Sequence, residues 1–290
     1  MADYYGVGKR YVRSTSYQTQ THIDALDVTP ARQYIQQDTT LGYRVLNLNN
    51  PFNDGRTAYY HQAIGGYHGA KLRRYQDLIE YCLRDECAQV MSYKQAHTDC
   101  LGYLPALNML NTRYLITSHQ QEGVITNPHA LGPAWFVDTL QPVGGPLEEI
   151  TALKTIHPQH TAVIDTTQFS VAHQPLSGQG HLTLTAYRPN YLQYAAETST
   201  GGLAVFAEVY YPKGWQAWLD GQAVNHVRVN YILRALAVPA GKHTITFTFA
   251  PRSYRLGNQV MLATAVLMIV LLAVGGIYQV QRWAASYLST

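Results

Sequence analysis

The chain has 290 residues, of which 47% are hydrophobic and 13% charged, enough apolar material for one or two packed cores. A formal net charge of +3 is too small to mark a polyanion-binding surface by itself, so no nucleic-acid partner is expected. The cysteines Cys82, Cys87 and Cys100 form neither a CxxC redox pair nor a zinc knuckle, and are read as buried or half-buried thiols.

The opening stretch, MADYYGVGKRYVRS, has no apolar run and does not read as a signal peptide. Residues 1–40 are polar and aromatic, with Pro30 breaking any long element. GYRVLNL (Gly42 to Leu48) alternates and is β-rich, which predicts a strand; NNPFNDGR (Asn49 to Arg56) is dense in turn formers and predicts a loop. Over Ala70 to Cys87, the apolar residues Leu72, Tyr75, Leu78, Ile79, Cys82 and Leu83 recur at three- and four-residue spacing, the pattern of a helix with one apolar face. LPALNMLNTRYLIT (Leu104 to Thr117) predicts a short helix running into a strand.

The Pro- and Gly-punctuated TNPHALGPAW (Thr126 to Trp135) marks a change of style. After it come short β-like runs at a spacing of about ten residues, beginning at Ala134, Thr161, His181, Tyr191, Leu203, Trp215, His226, Ile232 and His243. One predicted helix, Pro146 to Ile156, interrupts them. LDGQ (Leu219 to Gln222) is an Asp-Gly hairpin signal, and PAGKH (Pro239 to His243) is a second turn. This spacing of strands and turns predicts a β-sandwich.

Leu256 to Gln281 carries no charged residue, and Val260 to Tyr278 is apolar apart from a threonine, two glycines and the tyrosine. A helix of about 20 such residues spans the roughly 30 Å hydrocarbon core of a bilayer. Arg252, Tyr254 and Arg255 at one end, and Tyr278, Arg282 and Trp283 at the other, are the expected interfacial anchors. A buried core helix is the competing reading, which the length of the strip opposes. Lys242, Arg252 and Arg255 precede the helix and Arg282 follows it, so charge asymmetry alone puts the soluble part in the cytoplasm.

The blocks RVLNL, NPFNDGRTAYYHQAIGGYHGAKLRRYQDLIEY, NMLNTRYLI, NPHALGPAWFV and EVYYPKGWQAWLDGQAVNHVRVNYILRALAVPAGKHTITFTFAP stand in that order from Arg44 to the last helix. They resemble the C-terminal half of YfhO-family bacterial membrane proteins. The resemblance implies a large polytopic protein with a GT-C-type core, linked to adding sugars from polyprenyl-phosphate donors to cell-envelope polymers. It implies a soluble part outside the cytoplasmic membrane and a final helix returning to the cytoplasm, against the charge count. The acidic catalytic residue of GT-C enzymes belongs to an early extracytoplasmic loop that has no counterpart here, so none is carried over. The chain is therefore expected to be the C-terminal portion of such a protein, completed by a missing N-terminal membrane region or a partner chain.

Two stretches are candidate sites. In Ile64 to Tyr75, Gly65, Gly66 and Gly69 permit close approach, and a helix starting near Ala70 would offer free N–H groups to an anion. Tyr67, His68, Lys71, Arg73 and Arg74 would then bind a lipid phosphate or an anionic envelope polymer, with Lys71 and Arg74 on one side of the helix and Arg73 diverging. The competing reading is a loop, a cap and a solvated basic face near anionic headgroups. In YYPKGWQAWLDG (Tyr210 to Gly221), Tyr210, Tyr211, Trp215 and Trp218, with Asp220 and Asn230, would form a glycan platform. Against it, Trp215 and Trp218 face opposite ways in a regular strand, so at least one belongs to the core, and Asp220 is most simply a turn residue.

No histidine falls in HxH or HExxH spacing, and His157 and His160 flank Pro158 off any regular helix, so no metal is expected. No GxSxG or comparable nucleophile motif occurs, so no catalytic residue and no cofactor are assigned. The fold class expected is α+β. It comprises a mixed α/β region over 1–125, a mainly antiparallel β-sandwich over 126–251, and a transmembrane helix with a short tail over 252–290. The function expected from the resemblance is to assist sugar transfer from a polyprenyl-phosphate donor at the bacterial cytoplasmic membrane. The alternative is a non-catalytic, membrane-anchored envelope scaffold or glycan-binding module.

Overall fold

A computed structural model describes residues 8–17, 29–67, 69–96, 103–170 and 179–287. Cys100 lies outside them, as do the side chains of Arg282 and Trp283. Helix α1 (Pro30–Gln36) starts on Thr29, whose hydroxyl accepts the Arg32 N–H, with proline in the first turn where its missing donor costs nothing. Strand β1 (Arg44–Asn47) is the predicted one, and α2 (Arg56–Tyr60) follows the predicted loop. Helix α3 (Arg73–Leu78) runs through a π-helical turn, Ile79–Leu83, into α4 (Arg84–Ala96). The helix begins at Arg73 and not near Ala70, because Leu72 is extended at φ −61° and ψ 133°. Helix α5 (Pro105–Met109) passes through Asn111, at φ 56°, into β2 (Thr112–Ile116), as its sequence predicts. Strand β3 (Val124–Thr126) completes a three-stranded sheet in which β1 is parallel to β2.

The run from Ala134 divides in two. Strand β4 (Ala134–Val137) and β5 (Thr139–Val143) belong to different sheets, because the N–H groups of Asp138 and Thr139 both turn to the carbonyl of His160. After α6 (Pro146–Ala152), which ends short of the predicted Ile156, β6 (Thr161–Asp165) pairs in parallel with β5. The remaining strands are β7 (His181–Arg188), β8 (Tyr191–Thr198), β9 (Gly202–Val209), β10 (Trp215–Leu219), β11 (Gln222–Val224), β12 (Val227–Val229), β13 (Leu233–Val238) and β14 (Gly241–Phe249). They build the predicted antiparallel sandwich: a five-stranded sheet ordered β11-β10-β14-β8-β7 faces a four-stranded sheet ordered β12-β13-β9-β4.

The four-stranded sheet is covered on both faces, so β9 is apolar almost throughout. Period-two alternation sends Ala204 and Phe206 toward the five-stranded sheet, where the rings of Phe206, Tyr194 and Phe247 meet edge to face. It sends Leu203, Val205 and Ala207 the other way, into a core shared with Leu78, Leu83, Leu107, Ile150 and Val163. That second core joins the sandwich to the helices and to the β5–β6 pair.

Hairpin β10–β11 turns on Asp220 and Gly221, at φ 50° and 81°, the two left-handed positions of a type I′ turn. The Asp220 carboxylate accepts the Thr244 N–H at 2.8 Å and pairs with His243 at 2.6 Å. Strand β14 passes through Ala250 and Pro251 directly into α7 (Arg252–Tyr287). Gly214 closes this corner: its carbonyl accepts the Ala250 N–H, and a Cβ there would lie 2.7 Å from the Phe249 ring. Within α7, Arg252–Gln281 is a 30-residue stretch whose most apolar 18-residue window has mean hydropathy 2.7 and no buried share, long enough to cross a bilayer.

Candidate functional site

The glycine-rich stretch forms one wall of an apolar cleft of about 400 Å³. Ile64 is bonded to the backbone of Val45 beside β1, and the Tyr75 hydroxyl donates to the Ile64 carbonyl at 2.6 Å. Gly65 is required by close approach, since a Cβ would fall 1.6 Å from the Pro51 carbonyl oxygen. Ile64, Leu72, Tyr75, Ile79 and Val209 line the cleft together with Lys71, whose Nζ lies 3.5 Å from the Phe52 carbonyl. Arg44 also lines it, but its guanidinium is spent on the carbonyls of Leu110 and Ala207 and on Glu208.

The described members of the predicted cation cluster lie apart from one another. Lys71 precedes the helix, so it shares no helical face with Arg74. Arg73 is 82% exposed and pairs with Asp77 one turn on. Arg74 turns inward, 3.5 Å from Glu149 and 3.4 Å from the Tyr231 carbonyl, with its guanidinium over the Tyr231 ring. Tyr67 is 80% exposed, and His68 lies outside the described residues. Of the four predicted residues that are described, Lys71 alone lines the cleft.

Arg74 belongs to a buried ion network that the sequence does not announce. Glu149 on α6 pairs with Arg74 and Arg228 and accepts the Tyr231 N–H at 3.0 Å. Arg228 also reaches Asp165 at the end of β6 and lies over the Phe169 ring. Burial pushes the Glu149 carboxyl up, against the pull of Arg228. Two carboxylates and two guanidiniums balance in charge, which is how such groups are tolerated inside.

The second candidate stretch builds a cleft of about 420 Å³ between hairpin β10–β11 and the segment entering it. Tyr210, Trp215, Trp218 and His226 supply ring faces, and Gln216 and Asn225 supply neutral polar groups. Trp215 and Trp218 do face opposite ways, yet both stay half-buried and both line the cleft. Trp215 rests on Phe249 at 5.3 Å, and the Trp218 indole N–H donates to the Thr248 hydroxyl at 3.1 Å. The Tyr210 and His226 rings meet at 5.2 Å, tilted by 57°. Burial, helped by Arg234, pushes the His226 imidazole down to about 4, and burial pushes the Tyr210 hydroxyl up, so both are neutral.

The other predicted platform residues lie elsewhere. Tyr211 packs against Phe249 without lining the cleft. Asp220 is committed to its turn and to His243, whose hydrogen bond holds its carboxyl below the usual range. Asn230 is fully buried and exchanges hydrogen bonds with the backbone of Val163. Gln216, Asn225 and His226 were not foreseen; the hairpin signal at LDGQ carried the information, since it folds β11 and its following residues beside Trp218.

A third cleft of about 400 Å³ is lined by His129, His157, His160, Tyr103 and Trp135. Its 157–160 turn is fixed by the Trp135 indole donating to the Pro158 carbonyl and by Asp138 beside His160. Among the described residues, no group of three or more His, Cys, Asp or Glu side chains could hold a metal ion. Cys82 and Cys87 are buried free thiols, and burial pushes both up to about 12.

No curated protein and no solved structure matches the chain. The family described as bacterial membrane protein YfhO matches residues 157–261, from the turn before β6 through the sandwich into the start of α7. That segment contains the whole aromatic cleft and Val209 of the apolar one. The chain thus carries a segment similar to the YfhO bacterial membrane-protein family over residues 157–261, leading into a helix long and apolar enough to cross a bilayer.

Proposed function

We propose that the chain is the extracytoplasmic, membrane-tethered part of a YfhO-like protein and holds a lipid-linked saccharide at the bilayer surface. One observation carries this reading: the apolar and aromatic clefts are lined by the consecutive residues Val209 and Tyr210, where β9 leads toward β10 and the strand that enters α7. A polyprenyl-phosphate sugar presents an apolar chain, a phosphate and a polyhydroxylated ring in that order. Ile64, Leu72 and Ile79 suit the chain, Lys71 the phosphate, and the rings of Tyr210, Trp215 and Trp218 the sugar. The domain binds and positions. Transfer to a cell-envelope polymer belongs to a membrane region supplied elsewhere in the protein or by a partner chain.

The test is a tryptophan-fluorescence titration of the full chain in nanodiscs with a hexosyl polyprenyl phosphate. A saturable change that plain phospholipid does not produce supports the reading. A response identical to that of plain phospholipid overturns it.

A further inference from the structure

Clefts walled by tryptophan and tyrosine faces ordinarily attract cations, because the ring quadrupole is negative above and below the plane. Against one wall of the aromatic cleft, the Trp215 ring, a cation is already in place. Arg234 on β13 is 2% exposed, and its guanidinium carbon stands 4.0 Å from the Trp215 ring centroid and 5.2 Å from that of Phe247. Its Nε donates to the Val209 carbonyl at 3.0 Å, which fixes the plane of the group. The nearby Glu208 carboxylate is bonded to Arg44.

The cleft lining contains no Lys, Arg, Asp or Glu. The polar lining residues are neutral: Gln216, Asn225, Tyr210 and His226, whose buried Nε2 finds no partner among the described residues. An anion entering here gains no charged hydrogen bond, since Arg234 does not line the cleft, and so only neutral donors offset its desolvation. A cation meets a tryptophan whose face is already covered by a guanidinium, and is repelled across one ring thickness.

We propose that the aromatic cleft takes an uncharged pyranoside ring, and that Arg234 is the positioning residue that bars cationic amino sugars. This rests on the saccharide reading above and names the chemical class of sugar. Arg234 acts through Trp215: it holds the indole as a flat wall and cancels that wall's attraction for positive charge.

The test uses the full chain in nanodiscs and two soluble probes, an N-acetylglucosamine trisaccharide and the corresponding glucosamine trisaccharide, which differ in their N-acetyl groups and, below the amine pKa, in charge; the pH dependence of the difference isolates the charge. At pH 6, where the amines are protonated, the acetylated probe is expected to bind at least about tenfold tighter, the scale of one lost cation–π contact plus repulsion. Raising the pH above the amine pKa should narrow that gap in the wild-type protein, which requires no variant to fold. Arg234→Met should narrow the pH 6 gap to about threefold or less, with folding checked by near-ultraviolet circular dichroism. Equal binding of both probes at pH 6, or a gap that ignores pH, overturns the inference while leaving the saccharide reading intact. Failure of both probes to bind at any pH overturns this inference and the saccharide reading together.

Discussion

Trp215 pairs across the ladder with Phe249, and their rings lie 5.3 Å apart. Phe249 is the last residue of β14, and α7 begins after only Ala250 and Pro251. The aromatic cleft therefore stands at the end of the sheet that feeds the apolar helix, within about three residues of chain, or some 10 Å. Replacing Trp215 by Ala should lower saccharide affinity at least about fivefold, the energy of one aromatic stacking partner. It should also cost about 2 kcal/mol of stability, because the ring packs on Phe249 and under Arg234. Trp218→Ala should lower affinity similarly with a smaller stability loss. Calorimetric titration and chemical denaturation read the two effects separately.

Lys71 and Arg74 are close in sequence and differ in role. Lys71→Ala should change stability by no more than about 0.5 kcal/mol and should weaken binding of the phosphate-bearing ligand. Arg74→Ala should cost about 1–3 kcal/mol, because it removes one of the two arginines that balance fully buried Glu149. Arg228→Ala, which removes the more buried arginine of Glu149 and the one arginine paired with Asp165 among the described residues, should cost about 3–5 kcal/mol. Urea denaturation of the three variants orders them, and an Arg74 variant as stable as Lys71→Ala would contradict the network.

Gly65→Ala tests the wall of the apolar cleft. Its methyl group has no space beside the Pro51 carbonyl, so the loop must move. The expected outcome is a loss of at least about 2 kcal/mol, or a folded protein whose Ile64–Lys71 segment has shifted and whose lipid affinity has fallen. A Gly65→Ala protein with unaltered stability and lipid binding would contradict the close approach.

His226 makes stability depend on pH. Its imidazole is held down at about 4 in the folded chain, against 6.5 ordinarily, so between these values the unfolded chain binds more protons. The stability tied to neutral His226 is full above pH 6.5 and is lost as pH falls toward 4, by about 1–3 kcal/mol. His61, also held down at about 4 by burial, adds a slope of the same sign, whereas Glu86, pushed up to about 7, opposes it. His226→Gln isolates the term: the stability difference between wild type and variant should shrink or reverse as pH falls from 7 to 4. A difference that stays constant over that range would contradict the assignment.

Local signals made much of the fold legible. The alternation in HTITFTF, the continuous apolar run in LAVFAEV and the Asp-Gly of LDGQ specify strands and a turn with little help from the rest of the chain. The helix from Arg73 was legible in its apolar stripe, but its start was not, because one extended residue, Leu72, decides it. The division of AWFVDTL between two sheets was invisible, since it depends on a distant carbonyl, that of His160. The candidate sites fared unevenly for the same reason. Trp215 and Trp218 announce themselves as aromatic residues on a hairpin, whereas Gln216, Asn225 and His226 join them only once β10, β11 and the segment after them are folded. Sequence spacing could not tell that Arg74 turns toward Glu149 or that Asn230 bonds to Val163, because both partners are set by tertiary packing.

The most direct measurement is photo-crosslinking of the full chain in nanodiscs with a polyprenyl-phosphate hexose that carries a diazirine on its first isoprene unit. If one ligand bridges the two clefts, adducts fall on the Ile64–Ile79 stretch and beside Val209, and Trp215→Ala reduces them. Adducts confined to α7, or a pattern that Trp215→Ala leaves unchanged, would contradict the account.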